Sequence, residues 1–128
     1  MKVLLDSHIF LWLAESPTRL SSEAAMICRS TENILLLSIA SLWEIQIKAQ
    51  LGRLQLNLPL HTTLYEQQRV NKIELLPITP QHIFTLSQLA DHHRDPFDRI
   101  LIAQGIFESL PILSHDHMFT SYPVKVIW

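Results

Sequence analysis

Short apolar runs of strand length alternate with longer segments of helical periodicity along this 128-residue chain. That pattern constrains it to an α/β fold with a parallel sheet. Val3 to Leu5 reads as a buried strand, and Ser7 to Glu15 as a helix ended by Ser16 and Pro17. Ser21, Ser22 and Glu23 open a helix to about Arg29, followed by a strand over Ile34 to Leu37 and a helix over Ser41 to Gln50. Gly52 stands where a helix C-terminal glycine belongs, and Leu54, Leu56 and Leu58 alternate as an extended piece before Pro59. A polar helix from Thr62 to about Asn71 and a strand over Leu75 to Ile78 follow. The pair Thr79 and Pro80 then opens a helix to about Ala90. Asp95 and Pro96 repeat that opening for a helix to Glu108, and Pro111 to Ser114 and Val124 to Ile127 supply the last strands.

Composition removes several classes of function. The two glycines, Gly52 and Gly105, are too few and too far apart for a Walker loop or a dinucleotide fingerprint. Cys28 alone makes no intrachain disulfide and no cysteine zinc site, in keeping with a reducing compartment. The uncharged stretch from Asn33 to Trp43 falls short of the roughly 20 residues of a membrane helix, and Asp6 interrupts the first apolar run too early for a secretory signal. The expectation is a cytoplasmic protein with no membrane span. With a net charge of −2 and seven histidines, a nucleic-acid partner has to be held by a local patch or through metal ions. The charged fraction of 17% lies below the usual value of about 25%, which points to a surface partly covered by another chain.

Ligands of open α/β sheets bind beyond the carboxyl ends of strands. Asp6 directly follows the first strand, Asp116 closely follows the fourth, and Glu44 and Asp98 lie in first turns of helices beginning at that edge. Each of the last three also has a structural reading. Glu44 completes a capping box with Ser41, Asp98 is a first-turn acid beside the N-cap Asp95, and Asp116 fits a turn. Asp6 ends an apolar strand near mid-sheet, where an unpaired carboxylate is costly to desolvate. Converging carboxylates raise one another's pKa unless a cation compensates, and hard oxygen ligands select Mg²⁺ or Mn²⁺ over zinc. Such ions generate a hydroxide nucleophile and stabilise in-line phosphoryl displacement, which implies phosphodiester hydrolysis.

Other constellations carry less. Ser114, His115 and Asp116 have the residue types of a triad, but neighbours along an extended segment point to opposite faces. His92 with His93, and His115 with His117, lack the HExxH spacing and read as surface histidines. A phosphatase with Asp6 as nucleophile commonly has a second Asp two positions on, where this chain has His8. Trp12, Trp43 and Trp128 read as core or interface, and Lys48, Arg94 and Arg99 lie where they could reach phosphates.

The stretches MKVLLDSHIFLWL, SIASLWEIQIKAQLGRLQL, HRDPFDRILIAQ and LPILSHDHMFTSYPVKVIW resemble, in order and spacing, the PIN-domain toxins of type II toxin-antitoxin systems, the VapC family. The resemblance spans nearly the whole chain, so residues 1–128 are expected to form one PIN domain, a central parallel sheet with helices on both faces. It implies an Mg²⁺- or Mn²⁺-dependent endoribonuclease that hydrolyses RNA phosphodiester bonds and inhibits translation or growth. Asp6, Glu44, Asp98 and Asp116 match the family's acidic quartet, with Asp6 and Asp98 as main metal ligands and Glu44 helping to hold the metal or its water. Ser7 stands where relatives commonly have Thr, with a hydroxyl that supports the site without touching metal. Ser114 and His115 replace the common Thr and Ala, and Asp95 could also reach the metal, but its N-cap role before Pro96 explains it well.

The resemblance further implies a homodimer and a cognate antitoxin that blocks the site, seated in an apolar groove of the early helices. From a different class comes a catalytically silent module that holds a basic partner on the same acidic edge. A DNA-directed nuclease on the same scaffold is a third reading.

Overall fold

The computed structural model describes residues Met1–Trp128. A five-stranded sheet has the order β3-β2-β1-β4-β5, with every neighbouring pair parallel. Its strands are β1 (Lys2–Leu5), β2 (Ile34–Ser38), β3 (Glu74–Leu76), β4 (Ile112–Leu113) and β5 (Val126–Ile127). The helices are α1 (Ser7–Glu15), α2 (Ser22–Arg29), α3 (Ile39–Gln50), α4 (Leu60–Val70), α5 (Pro80–Thr85) and α6 (Pro96–Phe107). None is long and apolar enough to cross a membrane.

Strand alternation divides the core between two faces. Val3, Leu5, Leu35 and Leu37 pack with Ile9, Phe10 and Ile45 on one side. Leu4, Leu36 and Ile112 pack with Leu101, Ile102 and Phe119 on the other. Both faces are covered by helix, so β1 and β2 read as continuous apolar runs rather than alternating ones. Gly105 serves close approach: a Cβ there would come within 2.9 Å of Val124 and 3.1 Å of Ile112. Gly52 has φ +72° in the turn after α3, a conformation that favours glycine.

Four expected elements differ in detail. The α3 helix begins at Ile39 rather than Ser41 because Ser38 Oγ accepts the Ala40 N–H at 3.0 Å. The proposed Ser41 capping box is therefore absent, and Glu44 is free for another role. Leu54 and Leu56 pack against the first core cluster but form no strand, for the edge of the sheet beside β2 is taken by β3. The polar helix α4 starts earlier, at Leu60. The α5 helix stops at Thr85 and tightens into a 3-10 turn, where Thr85 and Ser87 hydroxyls bond back to the carbonyls of Gln81 and Phe84.

Candidate active site

The order of strands reverses at β1, which has β2 on one side and β4 on the other. Such a switch point opens a crevice beyond the strand ends. Asp6 is the first residue after β1 and Ser114 the first after β4. Asp6 is buried, and its Oδ2 accepts the Ser114 hydroxyl at 2.6 Å while Oδ1 accepts the His8 backbone N–H at 3.1 Å. Burial works to raise its pKa, but the hydrogen bonds from His8 and Ser114 outweigh it and hold the carboxyl below its ordinary value. Asp6 is thus an ionised N-cap of α1.

Glu44 is buried on α3 and fully engaged. Its Oε1 accepts the Ser7 hydroxyl at 2.5 Å, and its Oε2 accepts Lys48 Nζ at 2.8 Å one helical turn on. The bond to Glu44 raises the Lys48 pKa. Ala40 on α3 and Ala103 on α6 share a small buried cluster with Ile100, and these short side chains let the two helices meet closely. That approach sets Glu44 beside Asp98.

Asp98 is where the acids converge. Its N–H and that of Phe97 are capped by Asp95 Oδ1 at 3.1 and 2.9 Å. Glu44, Asp95 and Asp98 offer ligand atoms that all lie within 4.8 Å of one another, and so do His93, Asp98 and Asp116. Burial, then the negative charges of Asp95, Asp6, Glu44 and Asp116, push the Asp98 carboxyl up to about 8.

His93 closes the second group. Its Nδ1 accepts the Asp95 backbone N–H at 3.3 Å, so in the neutral ring the proton sits on Nε2, 3.0 Å from Asp98 Oδ2 and 3.8 Å from Asp116 Oδ2. The buried Tyr122 hydroxyl fixes this loop by accepting the N–H groups of His92 and His93 and donating to the Ala90 carbonyl. Arg99 Nη1 bonds the carbonyls of Ala90 and His93. Arg99 is therefore a brace for the loop rather than a phosphate ligand, and His93 is not the surface histidine that its sequence suggests.

Of the four acids singled out in the sequence, Asp98 belongs to both ligand groups, Glu44 to one and Asp116 to the other, while Asp6 lies outside both. The Asp116 side chain is 41% exposed and also accepts the Met118 N–H, as a turn aspartate does. No Ser-His-Asp relay forms. Ser114 turns to Asp6, whereas the His115 ring lies 5.0 Å from that of Trp128 and 6.0 Å from Trp12. Trp43 is exposed, with Phe97 edge-on at 5.2 Å, so it is not part of the core. Sequence reasoning noticed Ser114 but not its bond to Asp6, and it missed Tyr122 and the place of His93, because these roles depend on contacts between distant segments.

This donor set fits a hard divalent cation. Carboxylate oxygens dominate it, and the negative charge that adds to burial in raising the Asp98 carboxyl is what such an ion neutralises. Lys48, on the rim at Glu44, supplies the one close ammonium.

The sequence pattern of the PIN domain matches residues 3–125. The chain is 30% identical over 121 residues to Ribonuclease VapC22 of Mycobacterium tuberculosis, covering 94% of this chain and 91% of that protein. The fold is similar to VapBC2 from Rickettsia felis bound to a promoter DNA fragment, with a TM-score of 0.73 at 12% identity over 99% of this chain and 98% of the other. It is also similar to VapBC-5 from Mycobacterium tuberculosis, with a TM-score of 0.61 at 15% identity over 98% and 95%.

Proposed function

The chain belongs to the PIN-domain family, and on that footing we propose that it is a divalent-metal-dependent endoribonuclease, the toxin of a type II toxin-antitoxin pair. The observation that carries the reading is the meeting of two groups of ligand atoms at Asp98, one with Glu44 and Asp95 and the other with His93 and Asp116, near enough to Asp6 for its charge to help raise the Asp98 carboxyl. We assign Asp6, Glu44, Asp98 and Asp116 as the catalytic acids, with Mg²⁺ or Mn²⁺ as the ion. Asp98 would hold it together with Glu44 in one group or with Asp116 in the other, with Asp6 contributing charge and orientation from the strand end.

When bound, the ion lowers the pKa of water and neutralises charge on the phosphoryl oxygens. The residues of the chain prepare that chemistry. The His8 side chain, the Ser114 hydroxyl and the His8 N–H keep Asp6 ionised, Ser7 orients Glu44, and His93 orients Asp98. In hydrolysis water adds to phosphorus and one P–O bond breaks, so the leaving oxygen gains a proton.

The solved relatives named above are of VapBC type, and we extend an antitoxin partner to this chain. An apolar cleft of about 910 Å³ between α3 and α4, lined by Leu42, Trp43, Leu56, Leu58 and Leu64, supports that reading. The low charged fraction supports it too. A silent module that holds a basic partner is the second reading, favoured by the ammonium that Glu44 already accepts.

The deciding experiment is cleavage of a mixed tRNA and rRNA pool by antitoxin-free protein in Mg²⁺, Mn²⁺ and EDTA, beside Asp6→Asn. Cleavage that needs both metal and Asp6 is expected. Cleavage retained by the folded variant would overturn the site, and metal binding with no cleavage by wild type would favour the silent module.

A further inference from the structure

A second cleft opens at the Asp6 end of the sheet, on the side away from Glu44. It has a volume of about 550 Å³, and its walls include Asp6, Trp12, Arg19, His115, Asp116 and His117. The two carboxylates form its inner side, next to the acidic cluster. The outer side is planar and basic.

Arg19 lies with its guanidinium carbon 4.5 Å from the centroid of the Trp12 ring, the geometry of a cation–π pair. Among the long cations, Lys48 is held by Glu44, Arg69 by Glu66 and Arg99 by carbonyls, while Arg19 is the one laid over an aromatic ring. Arg19 has no carboxylate or carbonyl partner, so the indole holds its plane in position while its N–H donors stay open. Trp12 is fixed in turn by Trp128 at 5.9 Å and His115 at 6.0 Å, and the His117 ring lies 6.2 Å from His115. Trp12 and Trp128 rest on the first core cluster, whereas Arg19, His115 and His117 are exposed, and core packing does not account for their place over the cleft.

Single-stranded RNA is bound by stacking of splayed bases on aromatic rings or guanidinium planes, together with contacts from basic groups to its phosphates. This cleft offers both within one nucleotide's reach of the acids. A chain with a net charge of −2 needs such a local patch to hold a polyanion. Resting on the nuclease reading, we propose that the cleft is the subsite for the nucleotide adjoining the scissile phosphate of a single-stranded RNA. Arg19 contacts its phosphate, and the exposed rings of His115 and His117 pack against its base. Trp12 is a positioning residue that acts through Arg19.

The test compares wild type with Arg19→Gln, Arg19→Lys and His115→Ala on an RNA oligonucleotide that the wild type cleaves. Steady-state kinetics are measured over a salt series, and Kd is measured by fluorescence anisotropy in EDTA. Arg19→Gln is expected to raise KM and Kd about tenfold with little change in kcat, and to flatten the slope of log Kd against log salt by about 0.7, one phosphate contact on a single strand. Arg19→Lys keeps the slope. His115→Ala raises Kd about tenfold without changing the slope, as loss of one stacked base does. Wild-type KM, Kd and salt slope in both Arg19→Gln and His115→Ala would overturn the subsite while leaving the nuclease reading intact. Weakening of an antitoxin complex alone, with RNA binding unaltered, overturns it equally. Absence of metal-dependent cleavage by wild type is the separate failure of the nuclease reading.

Discussion

Ser114 Oγ donates to Asp6 Oδ2 across 2.6 Å, joining the ends of two adjacent parallel strands from positions 108 residues apart. With the His8 side chain and backbone N–H, this bond explains how a buried carboxylate at the end of an apolar strand stays ionised without an arginine or lysine beside it. It also ties the site to the register of β1 and β4, so the acidic edge and the sheet form together.

Ser114→Ala is expected to destabilise the protein by about 1–3 kcal/mol at pH 7, the cost of leaving a buried acceptor short of a donor. Asp6 has a folded pKa below its unfolded value of 3.8, so its contribution is present above that pH and is lost as pH falls below it. Urea unfolding at pH 7 and pH 3 should show the larger difference between variant and wild type at pH 7. Equal differences at the two pH values would detach Asp6 ionisation from the Ser114 bond.

Asp98 has the opposite sign. Its folded pKa of about 8 exceeds the unfolded 3.8, so between these values the native state holds a proton that the unfolded chain releases. Metal-free protein should lose stability as pH rises from about 4 to about 8, and Asp98→Asn should flatten that fall. Mn²⁺ at about 100 times its Kd should restore about 2.7 kcal/mol. Thermal melts with and without Mn²⁺ across this range check both statements, and a wild-type profile unchanged in Asp98→Asn contradicts the first.

His93→Ala should weaken Mn²⁺ binding and cleavage about 10–100-fold, the usual cost of removing a group that orients a metal ligand. His93→Gln, which can still donate to Asp98, should recover part of the loss. Calorimetric Mn²⁺ titration gives the answer without reliance on activity. Affinity in the alanine variant equal to wild type would return His93 to the status of a surface residue.

Lys48→Met removes the ammonium 2.8 Å from Glu44. A divalent ion then meets less repulsion and an uncompensated carboxylate, so Mn²⁺ affinity should rise about tenfold, as Coulomb attraction at surface-like dielectric indicates. The metal-free variant should at the same time be less stable, because Glu44 is left buried and unpaired. Weaker Mn²⁺ binding would show that Lys48 organises the site rather than competing with the ion.

The α/β class, the order of elements and the edge on which the acids lie were legible in the sequence. Apolar runs at β1 and β2, the N-cap pairs at Thr79 and Asp95, and the end of α1 at Ser16 are local signals, and local chemistry sets them. Helix starts were less legible where two serines compete, as Ser38 and Ser41 do ahead of α3. Asp6, Glu44, Asp98 and Asp116 stood out because they fall together near one sheet edge, although capping or turn roles were open to the last three, and Glu44 lies in the second turn of α3 rather than the first.

What tertiary structure alone decided is who touches whom among them. Convergence on Asp98 rather than Asp6 follows from the close meeting of α3 and α6 at Ala40 and Ala103. The place of His93 follows from Tyr122, 29 residues on, which holds its loop against the site. The partner of Ser114 was fixed by strand order, and the open guanidinium of Arg19 by the ring of Trp12. A sequence carries spacing along one chain, whereas hydrogen-bond pairing and charge repulsion depend on distances through space that only the packed sheet and helices set.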